Sequence, residues 1–159
     1  MNTVKPLDFD ELSKEKLRSL ENVKEIVLST SARDRVTSRV VSCSCQGNKV
    51  YFLSWDHHTK CIQILENPRV AFCHETLQIE GIASIKGNAL APENSVYAEK
   101  YKQKQARIFD IFTKFEGMAI IEVTITSITS YPIDEHEDYY LDHIDFDKKV
   151  AFRTYMKKE

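Results

Sequence analysis

The sequence contains no apolar run near the ~20 residues that a membrane-spanning helix needs. It also has no excess of positive charge. Its 22 Lys and Arg stand against 24 Asp and Glu, a formal net charge of −2, and the pI is near 6.2. A chain of that balance lacks the electrostatic footprint of a DNA- or RNA-binding protein. None of its four cysteines forms a Cys-x-x-Cys pair, so the close ligand pairs of a structural zinc site are missing. No Gly-x-Gly-x-x-Gly opens a helix after a strand, which excludes a dinucleotide seated on a Rossmann unit. Repeats and low-complexity tracts are absent. The opening stretch, MNTVKPLDFDEL, is acidic and has no apolar h-region, so no secretory signal is expected and the expected location is cytoplasmic.

What remains is an ordinary globular composition. The chain has 159 residues, 42% of them hydrophobic and 29% charged, which suits one domain with a substantial core. Asp8 with Glu11 predicts a capped helix start. Phe9, Leu12, Leu17 and Leu20 then recur at helical spacing, so a helix is expected within 1–22. Strands are expected over Glu25–Thr30 and Thr37–Cys45, with a polar turn at 31–35. Cys43 and Cys45 alternate on one strand face, as small buried side chains would. A turn at Gln46-Gly47-Asn48-Lys49 leads into Val50–Ser54. A short helix over Lys60–Leu65 is stopped by Asn67-Pro68, because the residue before proline disfavours the α region. Arg69–His74 and Leu77–Ile85 predict a second hairpin, in which Gly81 marks a bulge or tight bend.

Ala91-Pro92-Glu93 opens a longer helix reaching Phe115. Its aromatic end, Phe109, Phe112 and Phe115, is either a core plug or part of a subunit interface. Met118–Ser127 alternates strongly and is rich in β-branched residues, the pattern of a half-buried strand. The segment from Asp134 to Asp147 is dense in carboxylates and is expected to be a solvated acidic extension with a few anchoring aromatics. Val150–Met156 is expected to add an edge strand. Short connections and no regular βαβ alternation favour an antiparallel barrel with Greek-key features and helices outside it.

The chemistry concentrates between Arg39 and Pro68. Arg39 begins an apolar strand, and Ser54, Thr59 and Lys60 follow at the start of a helix. Hydroxyls, an Arg and a Lys beside free backbone N–H groups suit a bound phosphate. His57 and His58 are adjacent loop residues without a Cys or carboxylate pattern to complete a metal site, so no metal is expected and a surface position is favoured. Trp55 either stacks on a ligand or packs the barrel.

Arg39-Val40-Val41-Ser42-Cys43-Ser44, Leu53-Ser54, Thr59-Lys60, Gln63 and Asn67-Pro68, in this order and spacing, resemble the pyridoxamine 5'-phosphate oxidase-like, FMN-binding split-barrel family. The resemblance covers roughly Val27 to Ala83. It implies a mostly β split barrel with flanking helices, and a homodimer holding flavin at its interface. It implies that Arg39, Ser54, Thr59 and Lys60 meet the FMN phosphate, that Val40, Val41 and Ser42 run along the isoalloxazine edge with Leu53 nearby, and that Gln78 approaches from the partner subunit.

Two functions are then in view. One is an FMN-dependent oxidoreductase taking electrons from NAD(P)H or a small molecule. The other is a non-catalytic protein that binds flavin, haem or another cofactor. The resemblance stops short of a genuine pyridoxamine-phosphate oxidase, because those enzymes carry a substrate-holding Lys where this chain has Ser44. They also carry a Trp and an Arg-rich motif near the end, where this chain has Tyr139-Tyr140-Leu141-Asp142-His143 and Arg153.

Overall fold

The computed structural model of the chain describes residues 3–132 and 139–157. In order, the elements are β1 (Thr3–Leu7), α1 (Phe9–Leu20), β2 (Glu25–Ala32), β3 (Arg35–Gln46), β4 (Lys49–Trp55), α2 (Thr59–Glu66), β5 (Arg69–His74), β6 (Leu77–Asn88), α3 (Ser95–Phe112), β7 (Met118–Ser130), β8 (Tyr140–Asp145) and β9 (Val150–Tyr155). Six strands close into an antiparallel barrel in the order β7-β4-β3-β2-β5-β6, with β6 pairing back to β7. The end of β7, Ser127–Ser130, keeps β6 on one side and, beyond the reach of β4, pairs with β8 on the other, followed by β9 and β1. Among the described residues no helix is long and apolar enough to cross a membrane.

Strand alternation builds the barrel. Val41, Cys43 and Cys45 of β3 point inward with Val50 and Phe52 of β4 and are buried. Ile26, Leu28, Phe72, Ile79, Val123 and Ile125 fill the same interior. Leu12 and Leu20 of α1 close over it, as do Cys61 and Ile64 of α2. Asp8 caps α1 as its sequence predicts, accepting the Glu11 N–H at 2.8 Å. At Gly81 the register of β6 on β7 shifts. A Cβ there would lie 2.6 Å from Val123 Cγ1 and 2.8 Å from the Thr124 carbonyl oxygen, so glycine permits the backbone approach that closes the barrel.

Several elements depart from the sequence expectations. The turn between β2 and β3 shrinks to Arg33-Asp34, both at positive φ (50° and 62°), a conformation whose twist matches the flanking strands. Residues 1–22 hold a strand, β1, before the helix. The acidic extension is not simply solvated: although residues 134–138 of its stretch lie outside the described ones, Tyr140–Asp145 forms β8 between β7 and β9. Asp142 is buried there because Arg153 donates to both its oxygens, at 2.6 and 2.9 Å. β9 is not an edge, since β1 pairs along its other side.

The long helix starts later and ends earlier than its sequence suggests, with a 3₁₀ turn at Pro92–Asn94 before α3. It is also bent. Gln105 has non-helical angles (φ −131°, ψ 37°), and its side-chain amide donates to the carbonyls of Lys24 and Cys43 at 2.8 and 2.9 Å. About one turn earlier, the Lys100 carbonyl accepts from Ser44 Oγ at 2.8 Å and from Gln46 Nε2 at 2.7 Å. These bonds dock α3 on the outer face of β3 and β4. There Tyr101 and Phe109 pack with Tyr51 and Ile120 in a second apolar cluster outside the barrel.

Candidate functional site

β3 presents two chemistries because its side chains alternate between the faces of one barrel wall. Thr37 and Arg39 share the inward face with Val41 and Cys43 but sit at the barrel's mouth, half-buried. Val40, Ser42 and Ser44 face outward, toward α3.

At the mouth, Arg39 Nη1 donates to Thr30 Oγ1 at 2.8 Å and to the Leu28 carbonyl at 3.4 Å. Its Nη2 donates to Thr37 Oγ1. Both threonine hydroxyls then donate to Gln63 Oε1 of α2, at 2.6 and 2.7 Å. The amide group is held in its turn by donation from Nε2 to the Arg35 carbonyl at 3.0 Å. Every hydroxyl orientation follows: each accepts from the guanidinium and gives its own proton to the same oxygen. Of the five guanidinium N–H groups, these contacts leave Nε–H and one on Nη2 for a ligand.

α2 brings the remaining donors. Thr59 and Lys60 open it. The first turn of a helix leaves backbone N–H groups outside the ladder; here the His58 carbonyl accepts from those of Cys61 and Ile62, at 2.9 and 3.1 Å. Lys60 Nζ lies 3.4 Å from His58 Nδ1. Burial lowers the Lys60 ammonium below its ordinary value, with Cys61 opposing and Arg39 reinforcing that direction. Burial likewise lowers Arg39, partly offset by Cys61.

The result is a cleft of about 500 Å³ lined by Arg35, Thr37, Arg39, His57, His58, Thr59 and Lys60. It has no carboxylate among these lining residues. A smaller, mostly apolar pocket of about 180 Å³ adjoins it, between the barrel strands (Val40, Val41, Ser42, Leu53, Ser54, Trp55, Met118) and α3 (Tyr101, Ile108, Phe112). His58 and Lys60 line both spaces. The donor set fits a phosphorylated cofactor: the cations of Arg35, Arg39 and Lys60 and the Thr59 hydroxyl stand beside a mostly apolar slot, and the cleft has the volume of an ordinary ligand site.

No protein-family model and no curated protein sequence matches the chain. Solved structures do. General Stress Protein 26 from Bacillus anthracis str. Sterne superposes with a TM-score of 0.55 at 19% identity, covering 72% of this chain and 90% of that one. A pyridoxamine 5'-phosphate oxidase-related, FMN-binding protein from Nostoc punctiforme PCC 73102 gives 0.56 at 14% identity, covering 94% and 95%. HutZ, the heme storage protein of Vibrio cholerae, gives 0.55 at 15% identity, covering 72% and 89%. The fold is the pyridoxamine 5'-phosphate oxidase-like split barrel.

Within this split barrel the residues singled out from sequence divide between the two spaces. Arg39, Thr59 and Lys60 meet in the cleft, whereas Val40, Val41, Ser42, Leu53 and Ser54 line the apolar pocket. Ser54 is buried, donates to the Trp55 carbonyl at 3.1 Å and contacts Cys61 of α2; it lines the pocket and not the cleft. Gln78 lies exposed on β6, opposite Cys73 and Thr129, and lines neither space. His58 is half-buried between the two, not a plain surface residue. Trp55 packs edge-on against Phe112 and Phe115, with centroids 5.7 and 6.1 Å apart, and also faces the pocket. Sequence reasoning missed Thr30, Thr37 and Gln63 as holders of Arg39, and Tyr101, Ile108 and Phe112 as the roof. Thr37 two residues before Arg39 on one strand face was the available signal. Gln63 stood in the resemblance pattern without a role.

Proposed function

We propose that the chain binds FMN and acts as a flavin-dependent oxidoreductase on a small molecule. The observation that carries this reading is a cation-lined cleft without a carboxylate, continuous through Lys60 and His58 with an apolar slot. A phosphate needs several charge-assisted hydrogen bonds. Arg39, already oriented by Thr30 and Thr37, would offer its remaining fork; Lys60 and Thr59 would add an ammonium and a hydroxyl. The ring system would enter the slot, with the β3 backbone at Val40–Ser42 on one side and Ile108 and Phe112 on the other. When bound, FMN supplies the electron and hydride chemistry, while the protein contributes position and exclusion of water.

The likeness to an FMN-binding and a heme-storing split barrel makes the nature of the ligand the first experiment. An absorption spectrum of the purified protein, followed by mass analysis of what denaturation releases, is expected to show flavin bands and FMN. A Soret band and haem would refute the assignment. A non-catalytic flavin carrier would use the same site, and turnover of NAD(P)H with an acceptor separates it from an oxidoreductase.

We also propose a homodimer. Val27, Val36 and Val40 are exposed on the outer face of β2 and β3, and Gln78 lines neither space of its own chain, so it would serve a flavin only across a subunit boundary. Light scattering should give twice the 18.4 kDa chain mass; a monomer at micromolar concentration refutes it.

A further inference from the structure

His58 stands where the cationic cleft meets the apolar pocket. Its ring centroid lies 5.0 Å from that of Trp55 and 5.1 Å from that of His57. Its Nδ1 is 3.4 Å from Lys60 Nζ. An ammonium has only protons to give, so Nδ1 accepts and the neutral ring carries its proton on Nε2. The groups that face this ring are His57 and Trp55 from the loop before α2, Thr59 and Lys60 from α2, Arg35 and Arg39 across the cleft on β3, and Phe112 from α3. The neighbouring carboxylate, Asp56, lies 3.3 Å from His57 Nδ1 through its Oδ1 and lines neither space. His58 holds the N-cap position of α2 yet makes no capping bond with its side chain, so the ring is not committed to the helix.

Burial first, then repulsion from Lys60 and His57, push this imidazole below its ordinary value. The ring is therefore neutral in the ligand-free protein at neutral pH, among groups that are positive or uncharged. A dianion in the cleft inverts that balance, because it offsets the Lys60 charge and attracts a second N–H. We propose, resting on the reading that the cleft holds the FMN phosphate, that His58 is an ionisable phosphate ligand. It is neutral when the cleft is free, takes up one solvent proton as the dianion binds, and then holds the phosphate as an imidazolium. No bond in the ligand changes; the proton comes from the buffer and returns to it on release.

Calorimetric titration of the full chain with FMN, near pH 7.5 where a phosphate monoester is already mostly dianionic, reads this directly when done in two buffers of different ionisation enthalpy. The expected result is uptake of roughly half to one proton per FMN by the wild type and by His57→Gln, and almost none by His58→Gln. Riboflavin, which has no phosphate, should bind without uptake. FMN affinity should weaken by up to about tenfold per pH unit above neutrality in the wild type and stay flat in His58→Gln. Binding of FMN by the wild type without proton uptake, or uptake retained by His58→Gln, overturns the role of His58 and leaves the FMN reading intact. Failure of FMN to bind at all overturns the functional reading and this inference with it.

Discussion

Replacing Gln63 by Leu would remove the one oxygen that the Thr30 and Thr37 hydroxyls share. Gln63 is 4% exposed and Thr30 is 1% exposed, so water cannot take over as acceptor for Thr30, whereas Thr37 opens on the cleft. Three hydrogen bonds disappear: those from Thr30 and Thr37 to Oε1, and that from Nε2 to the Arg35 carbonyl. At about 0.5–1.5 kcal/mol each, with some return from the apolar side chain, the loss should be about 1–4 kcal/mol. For a chain of this size that corresponds to a melting temperature lower by roughly 3–15 °C. Urea unfolding of the ligand-free protein measures it. Gln63→Glu is the informative companion, because its carboxylate still accepts from both hydroxyls but sets an acceptor against the Arg35 carbonyl in place of the donor that now meets it. It also places a negative charge beside Arg39, and should weaken FMN by about tenfold or more through the lost net charge of the cleft. A Leu variant within about 0.5 kcal/mol of wild type, or a Glu variant that binds FMN unimpaired, would show that the hydroxyl network does not hold Arg39 for a ligand.

Lys60→Ala should weaken FMN about 10- to 150-fold in a fluorescence titration, the loss of one ionic hydrogen bond; riboflavin should bind more weakly than FMN to the wild type and be little affected by the change. Gly81→Ala should cost about 3 kcal/mol in urea unfolding, the upper range for overpacking, since its Cβ would meet the Thr124 backbone as well as Val123. Air oxidation of pyridoxamine phosphate or pyridoxine phosphate by FMN-loaded protein should be negligible, because Ser44 is buried under α3 and committed to the Lys100 carbonyl. Pyridoxal phosphate formation at ~1 s⁻¹ or faster would refute that reasoning.

The barrel strands were legible because their signal is local: Met118–Ser127 alternates, and Leu77–Ile85 does so up to its glycine. The elements that escaped notice depend on distant partners. β1 contains Pro6 and Lys5 and is almost wholly exposed; only pairing to β9 makes it a strand. β8 is hidden by its carboxylates, of which Asp142 is tolerated inside because Arg153, 11 residues later, neutralises it. The bend of α3 falls at Gln105, a residue with ordinary helix propensity, and arises from the carbonyls of Lys24 and Cys43 far away in sequence. The same division runs through the candidate site. Arg39 and the Thr59-Lys60 pair were readable as anion chemistry. That Thr30 braces Arg39 across the hairpin, and that Ile108 and Phe112 roof the slot, required the sheet register and the docking of α3.

The bend at Gln105 makes α3 a two-part arm. Its first half is clamped to the wall through the Lys100 carbonyl, and the anchored glutamine acts as an elbow. The second half carries Ile108 and Phe112 into the slot. From Gln105 to Phe112 the arm is about 10 Å long at 1.5 Å per residue, so a change of ten degrees or so at the elbow displaces its far end by nearly 2 Å. The width of the slot thus depends on a residue that does not line it. Variation in what this split barrel admits can arise at position 105, or at the carbonyls that hold it, without any change in the residues lining the slot.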